Sequence, residues 1–158
     1  MSVMSWVRSR IIEPRPAGPE RLLRRFTPAV DHPIHQDAIT TTPESWRVQT
    51  RGRRSFRLFE LRERLPAACL LTYRAWMRSE NVRPRAYLEM WCHIPDVGEF
   101  ASRGIHTALT GDNGWVICET RFRLKPGLLP DAIKLNIAFD GPGAVEISDI
   151  SLTATPLA

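Results

Sequence analysis

The chain has 158 residues, of which 43% are hydrophobic and 25% are charged, and its formal net charge is +5. This length and composition are typical of one globular domain with one hydrophobic core. No apolar run reaches the roughly 18–20 residues of a membrane-spanning helix, and Arg8 and Arg10 make residues 1–12 too polar for a secretory signal, so a cytoplasmic location is the default expectation.

Residues 1–43 are predicted to form a basic, proline-rich N-terminal arm or linker. Its first part, Met4–Ile12, has the apolar spacing of a short helix, which Pro14 would end. Glu20–Phe26 is expected to add another turn or two of helix. A basic arm can bind nucleic acid or an anionic surface. However, the sequence has no aromatic RNA-binding motif, zinc-finger spacing or helix-turn-helix pattern, so nucleic acid is not the favoured partner.

Residues 44–158 have the pattern of strands separated by turn residues. The predicted strands are Trp46–Thr50, Ser55–Leu61, Cys69–Arg78, Arg85–Ile94, Trp115–Leu124, Ala132–Phe139 and Ala144–Thr153. A long loop, Pro95–Gly114, lies between the fourth and fifth strands. In the last strand the apolar alternation slips by one residue, which predicts a β-bulge near Ser148–Asp149. The pattern predicts an all-β fold, a sandwich or barrel rather than an α/β fold.

The segment Ala86–Cys92 suggests a binding face. Its side chains alternate strictly, so Leu88, Met90 and Cys92 are expected to face the core, and the residues between them to face the other way. Those outward residues are Tyr87, Glu89 and Trp91. Two large aromatics around a carboxylate are an unusual composition for a surface that meets only water.

Other predicted strands carry similar residues on their polar sides. The candidate ligand-binding residues are Arg74, Trp76, Tyr87, Glu89, Trp91, Glu119, Arg121 and Asn136. Aromatic rings can stack on the apolar face of a sugar, while charged and amide groups can hydrogen-bond its hydroxyls. This set predicts a site for carbohydrate or a similar polar ligand. The alternative is an interaction or structural subunit whose sheet face is covered by the chain's own arm or by a protein partner.

Catalytic chemistry is less well supported. Glu89 and Glu119 could form a glycosidase-like carboxylate pair, but Arg74 and Arg121 are predicted on the same face and would pair with them. The sequence has no phosphate-binding loop, serine elbow or metal motif. Three widely spaced cysteines, Cys69, Cys92 and Cys118, favour buried free thiols, with a Cys92–Cys118 bridge as an alternative. The sequence therefore predicts a protein that is not an enzyme.

The order of the strand motifs resembles the galactose-binding-like jelly roll, the fold of many carbohydrate-binding modules. The matching residues are Trp46, Phe56-x-Leu58-Phe59-Glu60, Leu71-x-Tyr73-x-Ala75, Tyr87-Leu88-Glu89-Met90, Trp115, Ile133-Lys134-Leu135-Asn136 and Gly143-x-Val145-x-Ile147-Ser148-Asp149-Ile150-x-Leu152. The resemblance covers residues 44–155 and implies an antiparallel two-sheet β-sandwich in jelly-roll order that serves as a non-catalytic binding module. In that superfamily an aspartate in the last strand often helps hold a structural calcium. Here this role carries over only to Asp149, with Glu44 as a second candidate ligand.

Overall fold

The computed structural model describes residues 15–62, 65 and 68–157. These residues form nine strands: β1 Arg21–Phe26, β2 Ile39–Thr41, β3 Trp46–Thr50, β4 Arg54–Leu61, β5 Cys69–Ile94, β6 Gly98–Arg103, β7 Leu109–Leu124, β8 Ala132–Phe139 and β9 Gly143–Pro156. One short 3-10 turn, Ile105–Thr107, lies between β6 and β7. The described residues contain no helix with the length and hydropathy to span a lipid bilayer.

The strands form two antiparallel layers that share the long strand β5. In the front layer, the second half of β5 lies between β8 and β6, and β4 pairs with the other side of β8. In the back layer, the first half of β5 lies between β7 and β9, and β9 also pairs with β1 and β3. Strand β2 pairs with β3 at the edge. The β-sandwich predicted from the sequence is confirmed.

Strand β5 changes which side chains it turns inward as it passes from one layer to the other. Leu71, Tyr73 and Met77 are buried in the back layer at odd positions, whereas Leu88 and Met90 are buried in the front layer at even positions. The pairing of β5 with β7 has three register shifts between residues 77 and 86. Such irregularities are how a strand re-aims its side chains. Both halves therefore face the same core from opposite sides.

The core lies between the layers and forms one cluster of buried side chains. Phe59 of β4 stacks on Phe26 of β1, with ring centroids 4.1 Å apart, and meets the edge of Trp46 of β3 at 5.4 Å. These contacts join the front layer to the back layer. Because aromatic side chains bury large areas, this trio contributes strongly to the packing between the layers.

All three cysteines are buried and free. Burial raises the pKa of Cys92 to about 12 and that of Cys118 to about 11, because a thiolate is poorly solvated in the core. The prediction of buried free thiols is confirmed, and the alternative Cys92–Cys118 bridge is not formed. Thiols in this protonated, enclosed state act as small hydrophobic groups.

The helix predicted at Glu20–Phe26 is wrong, because Arg21–Phe26 is strand β1 and pairs with β9. Hydrogen bonds to β9 and the stacking of Phe26 on Phe59 outweigh a weak local helical preference. The helix predicted over Met4–Ile12 lies outside the described residues. The domain division at residue 43 stays a prediction, although β1 and β2 both pair with strands of the sandwich.

The long loop predicted over Pro95–Gly114 is also corrected, since it contains β6, the 3-10 turn and the start of β7. Gly104 marks the point where these segments meet. Its amide donates to the Leu88 carbonyl at 2.8 Å, and a Cβ at this position would lie 2.4 Å from the Glu119 carbonyl oxygen. Only glycine permits this close approach. The predicted bulge in β9 is confirmed by a register shift against β5.

Candidate functional site

The outer face of the front layer holds a cleft of about 500 Å³. Its floor is formed by β5 and β8, and its rim by the start of β4, the end of β6 and the following 3-10 turn. The cleft lies around the segment Ala86–Cys92, whose outward residues Tyr87, Glu89 and Trp91 all line it. The structure thus places the segment that suggested a binding face in a concave surface.

Glu89 is the centre of the hydrogen-bond network in this cleft, although only 5% of the residue is exposed. Its Oε1 atom accepts hydrogen bonds from Ser55 Oγ (3.2 Å), Trp91 Nε1 (3.0 Å) and Asn136 Nδ2 (3.2 Å). Its Oε2 atom accepts one from Arg103 Nε at 3.0 Å. Burial acts to raise the pKa of Glu89, but the donated hydrogen bonds outweigh it and hold that pKa below its usual value.

These contacts leave Glu89 ionised and fix the groups around it. The bond from Trp91 Nε1 sets the orientation of the indole ring, and Ala101 is the residue opposite Trp91 on β6. The small Ala101 side chain leaves more space beside the Trp91 ring than a larger side chain at that position would. Trp91 is therefore a half-buried, pre-oriented aromatic surface.

Tyr87 contributes less open surface than Trp91. It is buried, its hydroxyl donates to Asp140 Oδ1 at 3.2 Å, and the Arg85 guanidinium lies 5.7 Å from its ring centroid. Arg85 Nε also donates to Asp140 Oδ2 at 2.6 Å. The hydrogen bond from Arg85 lowers the pKa of Asp140; burial opposes this, and the bond from Tyr87 adds to it. This trio forms a fixed polar wall at one end of the cleft.

The other four candidate residues lie on the outer face of the back layer. Arg74 Nε contacts Glu119 Oε2 at 3.1 Å, and the Glu119 Oε1 atom lies 3.2 Å from Arg121 Nη2. Arg74 also pairs with Glu20 at 3.1 Å. Trp76 is 40% exposed on the same side of β5. The structure therefore brings together Tyr87, Glu89, Trp91 and Asn136, and separates them from this second group.

This separation also divides the carboxylate pair considered for glycoside chemistry. Glu89 lies on the front half of β5 and points outward there, whereas Glu119 lies on β7 and points outward from the back layer. Each is paired with arginine on its own face, as Glu89 is with Arg103 and Glu119 with Arg74. The ligand-binding role of all eight candidate residues stays a prediction.

Several cleft residues were not among the candidates from sequence. Arg53, Arg85, Arg103 and Asp140 all line the cleft. Arg85 lies two residues before Tyr87 on the same strand, so the alternation of side chains predicts that both point to the same face. The other three lie in turns or at strand ends, where no periodic pattern indicates which way a side chain points.

The calcium role of Asp149 is not matched by a ligand set. Its carboxylate pairs with the Arg25 guanidinium at 3.2 Å, and the residue lies in the β9 bulge with φ of 51°. Nowhere in residues 15–62, 65 and 68–157 do three or more His, Cys, Asp or Glu residues gather as metal ligands. Calcium requires six to eight oxygens. These residues do not fit the ion, and structural calcium stays an untested prediction.

Comparisons with known proteins agree with the architecture. No protein-family model matches the chain, and no curated protein does. The structure is similar to the CBM22-1 xylan-binding domain from Paenibacillus barcinonensis Xyn10C, with a TM-score of 0.58 and 9% identity over 91% of this chain and 99% of that one.

Two further solved structures are similar to this chain. The Clostridium thermocellum Xyn10B CBM22-1–GH10 modules, complexed with xylohexaose, match with a TM-score of 0.58 and 12% identity over 84% of this chain and 28% of that one. The CBM1 module of BiXyn10A matches with a TM-score of 0.52 and 8% identity over 84% of this chain and 98% of that one. At such identities these likenesses show the fold, the jelly-roll sandwich of carbohydrate-binding modules, and confirm the architecture that the resemblance implied.

Proposed function

We propose that this chain is a non-catalytic carbohydrate-binding module whose ligand lies in the front-layer cleft. The observation that carries the proposal is Trp91, a half-buried indole whose orientation is fixed by its hydrogen bond to Glu89. A pre-oriented ring beside polar groups suits a sugar, which has an apolar C–H face and a rim of hydroxyls. The cleft volume of about 500 Å³ falls within the range of ligand pockets.

The cleft residues divide into contact and positioning roles. Trp91 stacks on a sugar ring, with Ile105 as an apolar neighbour on the rim. Arg85 and Arg103 supply hydrogen-bond donors through guanidinium nitrogens that Asp140 and Glu89 leave unused. In this arrangement Glu89 holds Trp91 and Arg103 in place, since four donors from the protein already occupy its carboxylate.

The electrostatics of the cleft support binding without hydrolysis. Glycoside hydrolysis requires a carboxylic acid that stays protonated at the working pH, beside a second carboxylate. The two carboxylates that line the cleft, Glu89 and Asp140, both have lowered pKa values and are paired with arginine. Neither is suited to donate a proton to a leaving group.

Affinity electrophoresis in gels that contain neutral or acidic polysaccharides tests the proposal. Replacing Trp91 with Ala removes the stacking surface, and the expected loss is at least about tenfold in affinity, or about 1.4 kcal/mol. Trp76→Ala is the matched control, because it removes an exposed tryptophan from the back layer. Wild-type protein that binds no saccharide, or a Trp91→Ala variant that binds as well as wild type, would contradict the proposal.

A second function, protein interaction, is favoured by an exposed apolar patch on the back layer. Trp76, Trp115 and Ile117 are each 40–48% exposed there, and Trp76 is the residue opposite Ile117 in the pairing of β5 with β7. This alternative predicts that Trp115→Ser, which removes part of the patch, changes the oligomeric state measured by sedimentation velocity. The carbohydrate proposal predicts an unchanged oligomeric state and unchanged saccharide affinity for this variant.

A further inference from the structure

The rim of the front-layer cleft is rich in arginine. Arg53, Arg54, Arg85 and Arg103 line it, against the two carboxylates of Glu89 and Asp140. Arg54 is paired outside the cleft, with Asp37 at 2.7 Å. Even with Asp37 counted, the cleft keeps an excess of positive charge.

Arg53 is the source of this excess. It is exposed, and within the described part of the chain it makes no hydrogen bond and lies in no ion pair. The charge of Arg53 acts on Asp140, whose carboxylate already accepts hydrogen bonds from Arg85 and Tyr87. Arg53 therefore places a positive charge on the rim that no acidic side chain neutralises at hydrogen-bond distance.

Arg85 and Arg103 are committed to the protein through only one nitrogen each. Arg85 uses Nε to reach Asp140 at 2.6 Å, and Arg103 uses Nε to reach Glu89 at 3.0 Å. Between residues 15 and 157, in the parts that the structure describes, neither guanidinium donates another hydrogen bond. Their side chains are 43% and 56% exposed. The Nη1 and Nη2 groups, which form the bidentate end of a guanidinium, therefore remain open to a ligand.

We infer that the cleft selects an acidic saccharide, with the sugar's carboxylate bound by Arg53 and by the open ends of Arg85 and Arg103. This inference rests on the proposed function and names its ligand class. A planar guanidinium matches a carboxylate with two parallel hydrogen bonds, which a hydroxyl cannot provide. A neutral sugar would cover the rim while leaving the charge of Arg53 without a counterion, at a desolvation cost.

The two cleft carboxylates are compatible with an anionic ligand. Each already receives an arginine hydrogen bond, so each acts as a fixed anchor for a guanidinium. The anchored guanidinium groups are held in position before the ligand arrives. Holding donors in place reduces the entropy cost of binding.

Polymer pairs that share a backbone and differ in whether their substituents are acidic test this inference. The panel is polygalacturonate with its methyl ester, carboxymethylcellulose with hydroxyethylcellulose, glucuronoxylan with arabinoxylan, and dextran sulfate with dextran. Binding is measured by calorimetry with the full chain. The expected result is at least about tenfold tighter binding to the acidic member of a carboxylate pair than to its neutral member.

Arg53→Gln removes the unpaired charge, and Arg21→Gln is the matched control. Arg21 is exposed on β1 of the back layer, and its side chain, like that of Arg53, makes no hydrogen bond or ion pair among the described residues. Arg53→Gln is expected to weaken binding to the acidic polymer several-fold, without changing affinity for the neutral one. Arg21→Gln is expected to leave both affinities unchanged.

The outcomes separate the two proposals. Equal affinity for the acidic and neutral members overturns the acidic preference and leaves carbohydrate binding in place. Equal losses in Arg53→Gln and Arg21→Gln overturn the site, because they show a general effect of net charge. Preference for dextran sulfate alone overturns the carboxylate assignment in favour of a sulfate ester. Binding to no member of the panel overturns both the acidic preference and the proposed function.

Discussion

The outer faces of the two layers use the same residue types for different purposes. Each has a tryptophan on β5 and a glutamate paired with arginine, Glu89 on the front layer and Glu119 on the back. On the front, Glu89 is only 5% exposed and accepts a hydrogen bond from the Trp91 indole. On the back, Glu119 bridges Arg74 and Arg121 beside an exposed Trp76.

This comparison shows that enclosure, more than residue type, distinguishes the candidate site. A surface ion pair between mobile side chains contributes little, because water screens it and ordering the side chains costs entropy. An enclosed carboxylate with four donors is fixed in geometry and loses much when one partner is removed. The front face therefore has pre-organised groups, whereas the back face has a more exposed network, in which the Glu119 side chain is 19% exposed and that of Arg121 is 55% exposed.

The largest effect is expected from removing Glu89. Glu89→Ala leaves the donors of Trp91, Asn136 and Arg103 without their acceptor, and we expect it to lower the free energy of unfolding by about 3 kcal/mol. The matched variant Glu119→Ala on the back layer is expected to cost less than about 1 kcal/mol. Urea denaturation measures both. Equal losses in the two variants would show that enclosure does not distinguish the faces.

A smaller effect is expected at the point where the two layers approach each other. Gly104→Ala forces a Cβ against the Glu119 carbonyl, 2.4 Å away, and should lower stability by about 2 kcal/mol. Gly114→Ala is the control, since a Cβ there would meet no atom within 4 Å. Thermal melting curves compare the two. A Gly104→Ala protein with the same melting temperature as the wild type would mean that β6 and β7 are less closely packed than described.

The smallest effect is a change of stability with pH. The pKa of Glu89 is lower in the folded protein than in the unfolded chain, where it lies near about 4.3. Its charge therefore contributes stability above the unfolded pKa, and that contribution is lost as the pH falls through the folded pKa. Glu89→Gln should be less stable than wild type by about 1 kcal/mol near neutral pH.

This stability gap should shrink in acid, once the wild-type carboxyl is also protonated. Urea denaturation of both proteins from pH 7 down to pH 3 measures it. Other carboxylates titrate in the same way in both proteins, so the difference isolates Glu89. A gap that stays constant or widens in acid would contradict an ionised Glu89 at the centre of the network.

The sequence correctly indicated the fold and three of the β5 residues that line the cleft. Strand alternation showed that Tyr87, Glu89 and Trp91 share one outward face, because successive side chains on a strand point to opposite sides. It failed to show which layer carried Arg74 and Trp76. Both outer faces of a sandwich have the same alternation, so the pattern alone cannot assign a strand half to the front or the back.

The rim of the cleft was beyond sequence reasoning for a related reason. Arg53 precedes β4, Arg103 ends β6, and Asp140 follows β8. Turn and end residues have no periodic pattern, and they come together only through the pairing of distant strands. The N-terminal strand β1 was missed because its pairing with β9 joins residues more than 120 positions apart in the sequence.

Binding of the ligand around Trp91 is tested most directly by the indole N–H signals in NMR spectra of the 15N-labelled protein. Each tryptophan gives one such signal, which single substitutions assign. The protein is titrated with a hexasaccharide of the tightest-binding polymer in the panel. We expect a saturable shift of the Trp91 signal, with those of Trp76 and Trp115 unchanged. A shift confined to Trp76 or Trp115 would contradict it, because the ligand would then lie on the back layer.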